Sequence, residues 1–230
     1  MDIASLYRLN GRHALVTGGN AGIGLAMARA LGLAGASVTL VARREHELKA
    51  SVDELGKDDI QADWLACDLS QAESVKACGA TCLDRHGHVD ILINAAGVNL
   101  RKPFLENSPE DWNLHLALHL GAPFFMTQAL APGMKARGWG RIINLASLQS
   151  YRAFANGTPY GAGKGGVVQL TRAIASEWSP HGITCNAIGP GFFKTALTAP
   201  VFDNPELAAK NAGQTCIGRN GELTDLYGVT

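Results

Sequence analysis

Thr17-Gly18-Gly19-Asn20-Ala21-Gly22-Ile23-Gly24 decides the fold of this chain, because it joins a strand-like run to a helical one. His13–Thr17 is apolar and β-branched, whereas Ile23–Ala34 carries apolar residues at helical spacing. Glycines between them permit a tight turn and close backbone approach, and the helix N-terminus offers free N–H groups to an anion. A strand–loop–helix unit of this kind holds the pyrophosphate of a dinucleotide. Gly18, Asn20, Gly22, Ile23 and Gly24 are its candidate binding positions. The spacing is GxxxGxG, not GxGxxG, and the bland alternative is an ordinary glycine turn. Gly161, Gly163 and Gly166 do satisfy GxGxxG, but no strand precedes them, and Gly165 stands where a Walker loop needs Ser or Thr.

The same alternation extends along the chain. Further strands are expected at Ser37–Val41, Asp63–Ala66, Val89–Ile93, Arg141–Ala146 and Ile183–Ala187. Helices are expected at Glu45–Leu55, Ala72–Arg85, Pro109–Lys135 (bent near Pro123) and Thr158–Trp178. Near-continuous apolar strands alternating with helices predict an α/β fold: a Rossmann-type doubly wound parallel sheet with helices on both faces. No linker or repeat interrupts 1–230, so a single dinucleotide-binding and catalytic domain is expected. Ligand should lie at the carboxyl ends of the strands.

Composition narrows the partners. Lys and Arg total 20, Asp and Glu total 20, and no long run of one sign occurs, which argues against nucleic acid or a membrane surface. The apolar stretch around 114–134 is broken by His115, His119, Pro123, Gln128 and Pro132, and does not read as a membrane span. Five cysteines without a CxxC pair point to reduced thiols in a cytoplasmic protein, with no metal site.

Nucleotide choice is read at the end of the second strand, where a carboxylate would bind a ribose 2′-hydroxyl. Here Val41-Ala42-Arg43-Arg44 offers no acceptor, and an arginine can pair with a 2′-phosphate. NADP is therefore expected through Arg43 and Arg44, with NAD as the alternative; both arginines can equally be solvated residues starting a helix. Asp68-Leu69 follows the third strand, where Asp68 can accept from the adenine amino group or cap the next helix. Asn94-Ala95-Ala96-Gly97 closes the fourth strand with small residues past which a cofactor can run, or forms a plain turn; Asn94, Ala95 and Gly97 are candidates.

Tyr160 and Lys164 lie four residues apart on one helical face, thirteen residues after Ser147. An ammonium there favours the phenolate and lowers a tyrosine pKa from its usual value of about 10. A nucleotide loop beside a tuned tyrosine suggests carbonyl–alcohol redox chemistry. Ser147 on its own also suits a cap or turn.

TGGNAGIG, Asp68, NAAG at 94–97, Ser147, Tyr160 with Lys164, and Pro190-Gly191 with Thr195 together resemble the single-domain short-chain dehydrogenase/reductases. The resemblance spans nearly the whole chain in order. It implies that Tyr160 is the general acid or base, Lys164 holds the nicotinamide ribose, and Ser147 orients the substrate oxygen. It also implies that Pro190, Gly191 and Thr195 meet the nicotinamide carboxamide, although Thr195 can instead cap a helix. The family's usual asparagine, seven residues after a tryptophan resembling Trp112, is His119 here; it either serves the proton relay, weakens turnover or packs between helices. Family members continue into a further strand with a DGG-like turn, so the domain is expected to lack that strand at Thr230.

The text around Arg101-Lys102-Pro103-Phe104 and 189–219 is similar to the gluconate 5-dehydrogenase-like group. This implies a small carbonyl or alcohol substrate, a sugar acid or polyol of carbohydrate metabolism. Ser147, Gln149, Asn156 and Phe192 are the substrate candidates. Around them stand Asn99, Arg101, Lys102, Tyr151, Arg152, Phe193, Lys194, Asn211 and Gln214. The rival activities are 3-oxoacyl-carrier-protein reductase and an NADP-binding sensor or scaffold with little turnover. The family also implies a homotetramer or homodimer built through the long helix and the Tyr160 helix.

Overall fold

The computed structural model describes residues 3–230. Six strands form one parallel sheet: β1 (His13–Thr17), β2 (Ser37–Ala42), β3 (Ala62–Ala66), β4 (Ile91–Asn94), β5 (Gly140–Leu145) and β6 (Ile183–Ile188). Their order is β3-β2-β1-β4-β5-β6, so the direction of winding reverses between β1 and β4. That order is the expected doubly wound arrangement.

Alternation along β1 sends Leu15 into one helical layer and Ala14 and Val16 into the other. One layer contains α3 (Ala72–His86), α5 (Ala122–Ala136) and α6 (Thr158–Trp178), where Val75, Cys78, Met126, Leu130 and Ile174 pack. The other contains α1 (Gly22–Leu33), α2 (Glu45–Gly56) and the 3₁₀ segment Leu223–Val229, where Met27, Leu31, Leu48, Leu55 and Leu226 pack. Burying one such aliphatic side chain contributes roughly 1.5–3 kcal/mol. Among the described residues, no helix is long and apolar enough to cross a membrane.

The long helix expected over 109–135 runs without a break but carries a π-helical turn in its middle. Ser108 caps α4 (Pro109–Leu116), and its hydroxyl and the Asp111 carboxylate close a reciprocal capping box. A π-helical turn, Ala117–Gly121, then precedes α5. Pro123 supplies the reason: it has no N–H for the carbonyl four residues back, and its ring crowds that carbonyl. Widening the preceding turn relieves the conflict, so His119 sits on a π turn instead of beside a simple bend.

After β6, the chain makes the 3₁₀ turn Ala196–Thr198, then α7 (Ala199–Phe202) and α8 (Pro205–Ala212). One bridge between Phe193 and Gly221 closes this excursion.

At the amino end of the sheet, buried His13 bonds through Nδ1 to Ser37 Oγ at 2.8 Å and through Nε2 to Thr39 Oγ1 at 3.0 Å. Its ring stacks on His86 at 3.9 Å. Ligand-type atoms of His13, Cys82 and His86 lie within 4.8 Å of one another. Stacked rings direct their lone pairs side by side, not toward one point, and each Nε2 already has a protein partner.

Candidate active site

At the carboxyl ends of the strands lies a cavity of about 710 Å³. The glycine loop forms one wall, and here backbone touches backbone. A Cβ on Gly18 would lie 2.8 Å from the Ala96 backbone, and one on Gly24 would lie 2.2 Å from the Gly18 carbonyl oxygen. Gly18 also has φ +66°, in the left-handed region. A smaller recess of about 140 Å³ shares Gly18, Asn20, Arg44 and Gly97 with the main cavity. Ala42, Arg43 and Leu69 line that recess.

Ser147 follows β5, and its Oγ accepts from the Gln149 backbone N–H at 3.1 Å. Its own N–H donates to Ser150 Oγ, which donates to the Lys164 carbonyl at 2.7 Å. The Ser147 turn is thus fastened to the helix that carries Tyr160 and Lys164. Sequence reasoning missed Ser150, although the S-L-Q-S spacing of a reciprocal cap was its signal. A buried relay lies beneath: Asn94 Nδ2 donates to Asn144 Oδ1 at 2.8 Å, and Asn144 Nδ2 donates to Thr171 Oγ1 on α6 at 3.0 Å.

Tyr160 and Lys164 are almost entirely buried, and Lys164 Nζ lies 5.8 Å from the Tyr160 ring centre. Burial lowers the Lys164 pKa to about 7, and Nζ donates to the Leu145 carbonyl. Burial also raises the Tyr160 pKa, while hydrogen bonding with Ser147 and the charge of Arg101 pull the other way. The expectation of a tyrosine lowered by its lysine is therefore corrected. Loss of water outweighs the Ser147 hydrogen bond and the Arg101 charge, because Tyr160 is nearly closed off from solvent.

His119 is 1% exposed and wedged between Gly97 and Gly163. A Cβ on Gly97 would lie 2.4 Å from His119 Cε1, and one on Gly163 would lie 3.0 Å from His119 Cβ. Nε2 hydrogen-bonds to the Val98 carbonyl at 2.8 Å, so Nε2 carries the proton and Nδ1 is a bare acceptor without a partner. Burial, then the Lys164 charge, hold its pKa well below the ordinary histidine value. Glycines in the first half of α6 thus serve a close approach: Gly163 meets His119, and Gly166 meets Leu120.

Of the cofactor candidates, Gly18, Asn20, Gly22, Ile23, Gly24, Arg44, Ala95, Gly97, Pro190, Gly191 and Thr195 line the main cavity. Several others are placed differently. The Asn94 side chain is turned into the relay below the sheet ends, not toward the cavity. Asp68 does not line either recess; it accepts from the Ser70 N–H and hydroxyl, which lower its pKa. Arg44 lines both spaces, but its guanidinium is paired with Glu47, which also takes Asn20 Nδ2. Thr195 exchanges hydrogen bonds with Thr198 at the start of the next turn and also lines the cavity.

Among substrate candidates, Ser147, Gln149 and Phe192 line the cavity together with Asn99, Arg101 and Asn211. Asn156 does not line the cavity, although Ala155 and Gly157 on either side do; it is an exposed turn residue at φ +59°. Lys102 is held by Asp111 at 2.6 Å, and Tyr151 faces solvent. Arg152 lies over the Phe154 ring.

Residues 12–206 match the family described as short chain dehydrogenase. The chain is 35% identical to gluconate 5-dehydrogenase of Gluconobacter oxydans over 230 residues, covering 100% of this chain and 90% of that protein. It is also 35% identical to galactitol 2-dehydrogenase (L-tagatose-forming) of Cereibacter sphaeroides, covering 98% and 89%. A crystal structure of a gluconate 5-dehydrogenase from Burkholderia cenocepacia, in complex with NADP and tartrate, superposes with a TM-score of 0.93. It shares 35% identity and covers 99% of this chain and 89% of that one.

Proposed function

The chain belongs to the short-chain dehydrogenase family, and from that premise we propose that it interconverts a secondary alcohol and a ketone on a sugar acid or polyol, using NADP(H). The coarser activity is that of an NAD(P)-dependent oxidoreductase acting on CH–OH groups. One observation carries the proposal: Tyr160, Ser147 and Lys164 share a cavity with a glycine loop too tight to admit a Cβ at Gly18 or Gly24. Such a loop fits a pyrophosphate approached closely by backbone. When bound, the dinucleotide supplies the hydride, or takes it up, at its nicotinamide.

The protein's own groups then divide the remaining work. Ser147 Oγ holds the substrate oxygen, and Tyr160 gives that oxygen a proton during reduction. Because burial raises its pKa, Tyr160 keeps that proton at neutral pH. A charged Lys164 offsets the phenolate left behind. His119 stays neutral; its geometry favours packing, and in a relay it offers one acceptor and no titrating charge.

Four features support the finer readings. Asn99, Arg101, Gln149 and Asn211 give the cavity polar groups beside Phe154 and Phe192, and Arg101 offers a cation to an acidic substrate. For NADP, Arg43 borders the smaller recess, whereas Ala42 supplies no acceptor. The exposed aromatic and aliphatic side chains of Phe104, Leu105, Trp112 and Phe124 support self-association, which light scattering tests. Four buried free thiols suit a cytoplasmic setting.

The test is a spectrophotometric panel of sugar acids, polyols and a 3-oxoacyl thioester with NADP(H) and NAD(H), on wild type and Tyr160→Phe. Turnover of a sugar acid or polyol that Tyr160→Phe loses supports the proposal. Turnover confined to the thioester, or equal behaviour of the two proteins, overturns it.

A further inference from the structure

Buried polar atoms in folded proteins nearly always have a hydrogen-bond partner. Besides His119, two cavity-lining side chains have a buried atom with none: Asn99 Oδ1 and Asn211 Nδ2. They come from separate segments. Asn99 lies on the loop after β4, two residues before Arg101, whose φ of +48° is unusual for a residue with a side chain. Asn211, only 8% exposed, lies on α8.

Neighbouring contacts hold α8 in place. The Asn204 side chain caps it by accepting from the Leu207 N–H at 3.0 Å, and Asn220 Nδ2 donates to the Ala208 carbonyl at 3.0 Å. Leu207 and Asn211, one turn apart, both line the cavity, so one helical face presents an apolar and an amide group. Exchanging O and N in either amide changes which end is unpaired, not the fact of an unpaired end.

We propose that Asn99 and Asn211 are specificity-determining residues that hydrogen-bond hydroxyl groups of the substrate other than the one that reacts. The assignment rests on the reading that the substrate is a sugar acid or polyol. A hydroxyl can donate to Asn99 Oδ1 and accept from Asn211 Nδ2, whereas a bare acyl chain or simple ketone can do neither. With such a ligand Asn99 Oδ1 and Asn211 Nδ2 stay without a partner, and sites of that kind reject the analogue strongly.

Leucine replaces asparagine at nearly the same size without the amide, and it separates a ligand-reading role from a structural one. If the protein fold used the amide, Asn211→Leu would lower Tm. If only a ligand uses it, removing an unpaired buried group leaves the ligand-free protein as stable or more so. The experiment compares kcat/KM for a polyhydroxy ketone with that for a hydroxyl-free ketone in wild type, Asn99→Leu and Asn211→Leu. Calorimetric polyol binding in the presence of NADP and thermal melting of the ligand-free proteins accompany it.

The expected result is a ratio that falls about tenfold or more in each variant. Polyol binding weakens in step, and Asn211→Leu melts no lower than wild type. An unaltered ratio with unaltered polyol affinity overturns the assignment while leaving the dehydrogenase reading intact. A wild type that turns over hydroxyl-free ketones and neither binds nor turns over any polyol overturns the substrate reading, and this assignment with it. Should Asn211→Leu not fold, the amide is structural there, and Asn99→Leu decides the remaining half by the same ratio.

Discussion

The imidazole of His119 meets the phenol ring of Tyr160 edge to face, with centroids 5.0 Å apart and planes at 87°. The contact exists because Gly97 leaves room for the imidazole. Gly97→Ala should therefore cost about 1–3 kcal/mol of stability and depress kcat, since the new methyl overlaps His119 Cε1. Adding His119→Ala should restore most of that stability. A double-mutant cycle by denaturant unfolding measures the coupling; additive losses would mean the two residues do not share the space.

Tyr160→Phe should lower kcat/KM for ketone reduction about 10²–10⁴-fold, the range for loss of a positioned proton donor. Dinucleotide affinity should stay within a few-fold, because the glycine loop lies on a different element. Steady-state kinetics and a fluorescence titration with NADPH check both parts.

The Lys164 pKa of about 7 sets a pH dependence. The lysine is charged below that value and neutral above it, so kcat/KM for reduction should fall as pH rises through about 7. Stability has a definite sign as well. The folded value lies below the ordinary 10.5, so the unfolded chain binds the extra proton between about 7 and 10.5. The cost of burying the lysine is thus greatest below about 7 and vanishes as pH rises through 10.5. Lys164→Met should raise Tm at pH 7 while removing turnover.

His13, with its pKa lowered to about 4 chiefly by burial, should govern part of the acid response. Its folded value lies below the ordinary 6.5, so stability is lost as pH falls from about 6.5 to 4. The expected loss is on the order of 3 kcal/mol. Melting curves across that window should be flatter for His13→Asn than for wild type.

Arg43 and Arg44 should differ as NADP ligands. The Arg44 guanidinium is already paired with Glu47, whereas Arg43 borders the recess. Arg43→Ala should weaken NADPH binding tenfold or more without a matching loss for NADH, and Arg44→Ala should weaken it less. An equal loss from both variants would falsify the distinction.

The strands and the glycine loop were legible because period and turn chemistry are local. His13–Thr17 as β1 and Thr158–Trp178 as α6 have the expected bounds. The π turn was hidden, since the response of a helix to Pro123 depends on what packs beside it, here Gly163 and Gly166. The titration of Tyr160 and Lys164 was misread for a similar reason: spacing reveals their neighbourhood, but only packing reveals the exclusion of water. Asn94 escaped detection as a core residue because its partner, Asn144, lies fifty positions away.

The reversal of strand order between β1 and β4 has a broader consequence. The crevice it opens lies beyond the carboxyl ends of the strands, so the reacting groups, though buried, gather at a seam and not between the sheet and a helical layer. Residues at that rim, such as Asn99 and Asn211, can be exchanged without disturbing Leu15, Val16 or Ile93 underneath. One interior can therefore serve many chemistries, each written into short segments at the lip of the same sheet.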